Sequence, residues 1–133
     1  YEPNDRTYAS PAVCLDEILL NLATVDVEVT AEVTASLPLA PMSLRVILRN
    51  LLRNAVAAGA KHVHVTVVQA AGTWWLVVDD DGVGLAAVAD YAAGSGLGLS
   101  LCRRIAARYH GVLELAPRPT VGTRATLRLT GPS

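Results

Sequence analysis

Two hydrophobic periods alternate along this chain of 133 residues, and that alternation restricts the folds open to it more than any other feature. Between residues 44 and 58, Leu44, Ile47, Leu48, Leu51, Leu52 and Ala55 recur every three or four positions as one apolar stripe of a helix, with Arg45, Arg49 and Arg53 on a row roughly opposite. "HVHVTVVQ" and "TWWLVVDD" change character every second residue, as strands do, and meet at Ala71 and Gly72, which predicts a hairpin. The same two periods recur elsewhere. Leu15, Ile18, Leu19 and Leu22 predict a short helix over 13–23, "VDVEVTAEV" a half-buried strand, residues 97–110 a helix stopped by Gly111, and "VLELA" and "TRATLRLT" two closing strands. "SLPLAPM" breaks the pattern with two prolines and leads to Ser43, read as the N-cap of the central helix. The order predicts an α/β fold, a two-layer sandwich in which about three helices cover one face of a mixed, mostly antiparallel sheet.

Composition narrows the classes of function. A hydrophobic share of 52% and a mean hydropathy of +0.37 suit one core-rich domain. We assign residues 1–12 to a linker or arm and 13–133 to the domain. With ten arginines, the single lysine Lys61 and a formal net charge of −1, the chain has no basic field to attract nucleic acid or an anionic membrane. Cys14 and Cys102 lie far apart without metal-ligand or CxxC spacing and read as buried small hydrophobes in a reducing compartment. No run of 18 apolar residues could span a bilayer, so the chain reads as a cytoplasmic domain cut from a longer protein, with a membrane anchor in the parent left open.

Three stretches could carry chemistry. Asparagine is a poor helix former, yet Asn50 and Asn54 sit one turn apart at the edge of the apolar stripe; they are either solvated or present an amide oxygen to a hard cation such as Mg²⁺. "DDDGVGL" follows a strand directly. It is either an Asp-Gly turn or a place where Gly82 and Gly84 let backbone pass close to a flat ligand while one aspartate holds an amino group on it. "GSGLGLSLCRRI" runs from glycines at 94, 96 and 98 straight into an amphipathic helix, whose free first-turn N–H groups favour a phosphate unless the glycines serve geometry alone. It matches neither a Walker loop nor a dinucleotide fingerprint.

The order "LRVILRNLLRNA", "VVDDDGVGL", "GSGLGLSLCRRIAARYHG", "VGTRATLRL" closely resembles the ATP-binding catalytic domain of bacterial sensor histidine kinases, a family sharing its Bergerat-type fold with gyrase, mismatch-repair and chaperone ATPases. The resemblance covers about residues 13–130. It implies ATP lying between the helices and a lid. Asn54 matches the Mg²⁺-binding asparagine, with Asn50 one turn earlier. Asp80, two before Gly82, matches the aspartate that bonds the adenine amine, whereas Asp79 and Asp81 do not match it. Gly82 and Gly84 match the first glycine box. Gly94, Ser95, Gly96, Leu97, Gly98 and Leu99 match the second, whose backbone meets the phosphates, and Thr123 matches a threonine supporting the adenine end.

Where hydrolytic relatives resemble one another in a glutamate base, this chain has Asn50, an amide that takes no proton from water at neutral pH. The resemblance thus implies a protein histidine kinase domain that holds Mg-ATP for a phosphoacceptor histidine on a separate dimerisation domain. It also implies a response regulator as downstream partner and a homodimeric full-length protein around a monomeric isolated domain. His62, His64 and His110 lack the setting of a phosphoacceptor and are read as structural or solvated. Ala57 and Ala58 stand where the family often has a basic and an aromatic or histidine residue, and the nine-residue lid, 85–93, has no phenylalanine. Those departures keep two alternatives open: a degenerate nucleotide-binding or docking module without kinase activity, and a related serine kinase acting on an anti-sigma partner. A basic row, Arg103, Arg104 and Arg108, reads as a solvated face or a docking surface.

Overall fold

The computed structural model describes residues 8–21, 27–82, 97–119 and 121–130. Helix α1 (Pro11–Asn21) leads to strand β1 (Glu28–Val33), helix α2 (Pro41–Ala57), the strands β2 (His62–Ala70) and β3 (Thr73–Asp80), helix α3 (Leu97–Arg108), and the strands β4 (Gly111–Pro117) and β5 (Thr123–Thr130). The strands form one sheet in the order β1-β2-β3-β5-β4, with β1 parallel to β2 and every other pair antiparallel. Among the described residues, the three helices pack against one another and one face of this sheet, as the periodicity predicts.

The core is the meeting of stripe and pleat. Leu44, Ile47, Leu48, Leu51, Leu52 and Ala55 of α2 are buried against Val63, Val65 and Val67 of β2, Leu76 and Val78 of β3, and Leu127 and Leu129 of β5. Each large aliphatic side chain buried there contributes about 1.5–3 kcal/mol of transfer free energy. Trp74 joins the core while Trp75, one residue on, takes the half-buried opposite face, as strand alternation requires. The hairpin turns at Ala71 (φ 53°) and Gly72 (φ 75°), two left-handed residues that match the twist of the strands they join.

Several local expectations change. Ser43 does not cap α2: the cap position is Ala40, Pro41 opens the helix, and no side chain of the cap residue bonds the first turn. The cap is tertiary. The Tyr109 hydroxyl, just beyond α3, accepts the Ala40 N–H at 3.3 Å and lies 3.2 Å from Ser43 Oγ. At the far end, Gly59 (φ 78°) closes α2 in a Schellman arrangement, its N–H reaching the Val56 carbonyl at 2.9 Å and the Ala60 N–H that of Ala55 at 3.0 Å. Helix α3 ends on a left-handed His110 (φ 59°), so Gly111 begins β4 and does not stop the helix. The first strand is shorter than "VDVEVTAEV", and Arg45 leaves the solvent row to pair with Glu17 of α1 at 2.8 Å. The lid at 85–93 and most of the arm at 1–12 lie outside the described residues.

Candidate functional site

Consecutive aspartates at the end of β3 are separated by the pleat. Asp79 falls on the open face, where Arg124 of β5 grips it through two bonds, Nε to Oδ1 at 2.7 Å and Nη2 to Oδ2 at 3.3 Å. Asp81, past the strand end, accepts the backbone N–H groups of Lys61 and His62 at 2.8 and 2.9 Å and meets His62 Nδ1 at 2.8 Å. The His62 N–H first, then its ring, pull the Asp81 carboxyl down to about 2, and the same carboxylate holds the His62 imidazole above its ordinary range. His62 also reaches Glu28 at 3.3 Å, and His64 pairs with Glu32 at 3.0 Å. Asp79 and Asp81 are thus spent on holding strands together.

Asp80 points the other way, onto the covered face, and is 8% exposed. Its Oδ1 accepts the Gly82 N–H at 2.9 Å, and the Thr123 N–H of β5 also donates to the carboxylate. Burial raises its pKa, and those two donors and the nearby Arg118 charge only partly offset it. A hollow opens beside it, lined by Leu51 and Asn54 of α2, Val78 and Asp80 of β3, Leu115 of β4, and Thr123 and Ala125 of β5. Four apolar walls and three polar groups suit a flat heteroaromatic ring with an amino edge. Among the described residues Thr123 Oγ1 is buried without a hydrogen-bond partner, and a buried hydroxyl left unpaired is destabilising unless a ligand or a water completes it.

The backbone around the hollow is tightly fitted. A side chain at Gly82 would sit 2.7 Å from the Ala58 carbonyl at the end of α2, so the turn after Asp80 lies directly on that helix end. At Gly122 (φ 100°) any side chain would run into the Asp80 carbonyl, so the start of β5 can close on Asp80 only without one.

Asn50 and Asn54 are both half-buried on α2, but only Asn54 lines the hollow. Asn50 Nδ2 donates back to the Val46 carbonyl at 2.8 Å, which leaves its Oδ1 as the acceptor it can offer elsewhere. Leu97 opens α3, Gly98 follows within it, and Leu99 packs half-buried against the core. The C-terminal end of α3 meets the N-terminal end of α2 at Tyr109, and the two helices pack together. Gly84, Gly94, Ser95 and Gly96 lie outside the described residues. Among the described residues no group of three or more histidine, cysteine, aspartate or glutamate side chains is placed to hold a metal ion; Asn54 offers an amide oxygen, a donor that suits a hard cation. Cys14 and Cys102 are buried and free, as expected of packing residues.

Sequence reasoning overlooked Arg118 and Gly122, and it read Leu51 and Val78 as core alone. Gly122 stands beside Thr123 in the quoted "VGT", and its backbone need was the available signal. Nothing local marks Arg118.

The model of the histidine kinase-, DNA gyrase B- and HSP90-like ATPase family matches residues 39–132. The chain is 31% identical over 131 residues to the sensor protein kinase CarS of Pseudomonas aeruginosa, covering 90% of this chain and 29% of that protein. It therefore spans under a third of this relative's length. The crystal structure of the ATP binding domain of PrrB from Mycobacterium tuberculosis superposes with a TM-score of 0.78 at 27% identity, over 96% of this chain and 98% of that one. The NMR structure of the histidine kinase domain of the E. coli osmosensor EnvZ agrees in fold, with a TM-score of 0.73 at 23% identity over 96% and 89%. Motif order, sheet topology and these matches converge: the chain belongs to the histidine kinase-, DNA gyrase B- and HSP90-like ATPase family, as an ATP-binding domain of the sensor histidine kinase type.

Proposed function

We propose that this domain is the catalytic part of a two-component sensor histidine kinase, holding Mg-ATP for transfer to a histidine on a separate dimerisation domain and onward to a response-regulator aspartate. The observation that carries the reading is the hollow itself, where Asn54, Asp80 and Thr123 converge from three elements among apolar walls. The unpartnered Thr123 hydroxyl and the buried Asp80 carboxylate supply a hydroxyl and an acceptor of the kind the adenine end of a nucleotide needs.

When bound, ATP supplies the phosphoryl group, and Mg²⁺ would be held through Asn54, with Asn50 Oδ1 one turn away. The chain's own residues position and do not react. Asp80 accepts from the purine amine, Thr123 completes the ring edge, and Leu51, Val78, Leu115 and Ala125 exclude water from its faces. In-line phosphoryl transfer depends mainly on such placement and on charge neutralisation. Neither Asn50 nor Asn54 can deprotonate water, so the domain alone should turn over ATP slowly. His62 and His64 are tied to carboxylates on the exposed sheet, which agrees with a phosphoacceptor elsewhere.

Ala58 bears on the docking-module alternative. A side chain at Gly82 would come within 2.8 Å of the Ala58 Cβ, and Ala58 is buried at 7% exposure, so a small residue at 58 suits the close approach of the Gly82 turn without a decayed site. The test is to incubate the full-length protein with γ-labelled ATP and Mg²⁺. Acid-labile, base-stable label on a histidine is expected. A full-length protein that binds nucleotide without labelling would remove the kinase reading in favour of a binding module, and label on a partner's serine would select the serine-kinase alternative.

A further inference from the structure

Asp81 sits where two walls of the hollow come together. The β2–β3 ladder ends at the pair Val63 and Asp80, and Asp81 adds one rung beyond it. Its N–H donates to the His62 carbonyl at 3.3 Å, and its Oδ1 accepts two consecutive backbone N–H groups, that of Lys61 at 2.8 Å and that of His62 at 2.9 Å. Those donors belong to the connection leaving α2, which is itself tied back: the Ala58 N–H returns to the Asn54 carbonyl and the Ala60 N–H to that of Ala55, each at 3.0 Å. One residue after Asp81, the Gly82 turn lies on the Ala58 carbonyl with no room for a side chain between them. From the β5 side, Arg118 Nη1 donates to the Asp80 main-chain oxygen at 3.0 Å, so the peptide before Asp81 is held on its other flank as well. The α2 end that carries Asn54 and the β3 end that carries Asp80 thus meet at one corner, and the Asp81 carboxylate fastens it.

We propose that Asp81 is a positioning residue that fixes the spacing of the Asn54 and Asp80 walls, so that a nucleotide held at both its base end and its phosphate end binds as one ligand; this rests on the nucleotide-binding reading above. Asp81 is not among the residues that line the hollow, so its effect is on the coupling between the two ends and not on either contact. Where two sites are rigidly joined, the second contact forms at a high effective concentration set by the joint, and a loosened joint lowers that concentration while leaving each contact as strong as before. A ligand that engages mainly one end is nearly indifferent to the joint. An acid that holds strands together away from the hollow, as Asp79 does with Arg124 on the open face, has no such selective effect. The His62 ring, 2.8 Å from Oδ2, braces the Asp81 carboxylate from outside, but the two backbone bonds to Oδ1 do not need it.

The experiment is calorimetric titration of the 133-residue chain with adenosine and with the imido analogue of ATP, both in Mg²⁺, for the native protein, Asp81→Ala, Asp81→Asn, His62→Ala and Asp79→Ala, at a temperature where melting curves show each of them folded. Asp81→Ala should weaken the ATP analogue roughly tenfold and adenosine by less than about twofold, so the advantage of the larger ligand narrows. Asp81→Asn, whose amide oxygen accepts the same two N–H groups, should keep the native ratio. His62→Ala and Asp79→Ala should melt lower with the ratio unmoved. An unmoved ratio in Asp81→Ala, an equal loss for both ligands, or a narrowing in His62→Ala or Asp79→Ala as large as in Asp81→Ala would overturn the proposal and leave the nucleotide reading standing. If Asp81→Ala does not melt cooperatively, Asp81→Ser takes its place and the same comparison with Asp81→Asn decides. A folded native chain that binds neither ligand overturns the nucleotide reading itself, and this proposal with it.

Discussion

The two faces of the sheet treat polar residues differently. On the open face, His64, Asp79 and Arg124 lie side by side across β2, β3 and β5, and each has a partner at bonding distance while remaining near water. On the covered face, among the described residues, the corresponding surface is apolar except at one end, where Asp80 and Thr123 are the buried polar residues. A carboxylate and a hydroxyl in that position are less stable than the valine and alanine beside them would be. Polar groups retained where they destabilise the fold, in a hollow of ligand shape, mark function more reliably than polar groups that hold strands together.

The widest gap expected between the faces is in packing. Leu48→Ala, on the covered side, should destabilise the chain by about 2–5 kcal/mol, while Arg128→Ala, exposed on the open face, should stay within about 0.5 kcal/mol. Urea titration of both variants measures it, and equal effects would break the comparison.

Next comes the pair of neighbouring acids. Asp80→Asn should abolish calorimetric binding of an ATP analogue, and Asp79→Asn should leave it intact. Because folding raises the Asp80 pKa above the ordinary 3.8, its contribution to stability is fully present below that value and is lost as pH rises through the raised one. The ligand-free Asp80→Asn chain should therefore melt higher than the native chain at neutral pH. A lower melting temperature would show that the carboxylate serves the fold.

The smallest effect concerns Asp81, whose folded-state pKa lies near 2 against an ordinary 3.8. Its stabilisation is complete above about 4 and lost as pH falls toward 2. Melting curves of the native chain and Asp81→Asn should differ at pH 6 and converge through that window, and a gap that persists at pH 2 would assign the loss to something other than ionisation.

Elements with a strong period were legible in the sequence: the α2 stripe and the β2–β3 hairpin follow from residue spacing, and so does the separation of Trp74 from Trp75. What failed was closure at a distance. Ser43 has the chemistry of a cap, but the Tyr109 hydroxyl, 66 residues away, lies against the first turn. His110 took the left-handed position that Gly111 was expected to fill, leaving glycine to start a strand. In the site, the roles of Asp79, Asp80 and Asp81 are indistinguishable by chemistry, since all three are acids in a row; the pleat separates the first two and the strand end the third. Arg118 was invisible because its partner is a main-chain oxygen, which no residue pattern encodes.

The pairing of β3 with β5 has a further consequence, in the order of assembly. β2 and β3 pair across a turn of two residues, whereas Thr73 of β3 lies opposite Thr130 of β5. Local ladders close with little loss of chain entropy, and distant ones wait for the intervening segment to settle. The Asp80 carboxylate is present as soon as the hairpin forms, but Thr123, Gly122 and Arg118 reach it only when the last strand docks. On this order the hollow beside Asp80 is completed late in folding, so a chain cleaved or stalled before residue 123 carries the acid without the hollow.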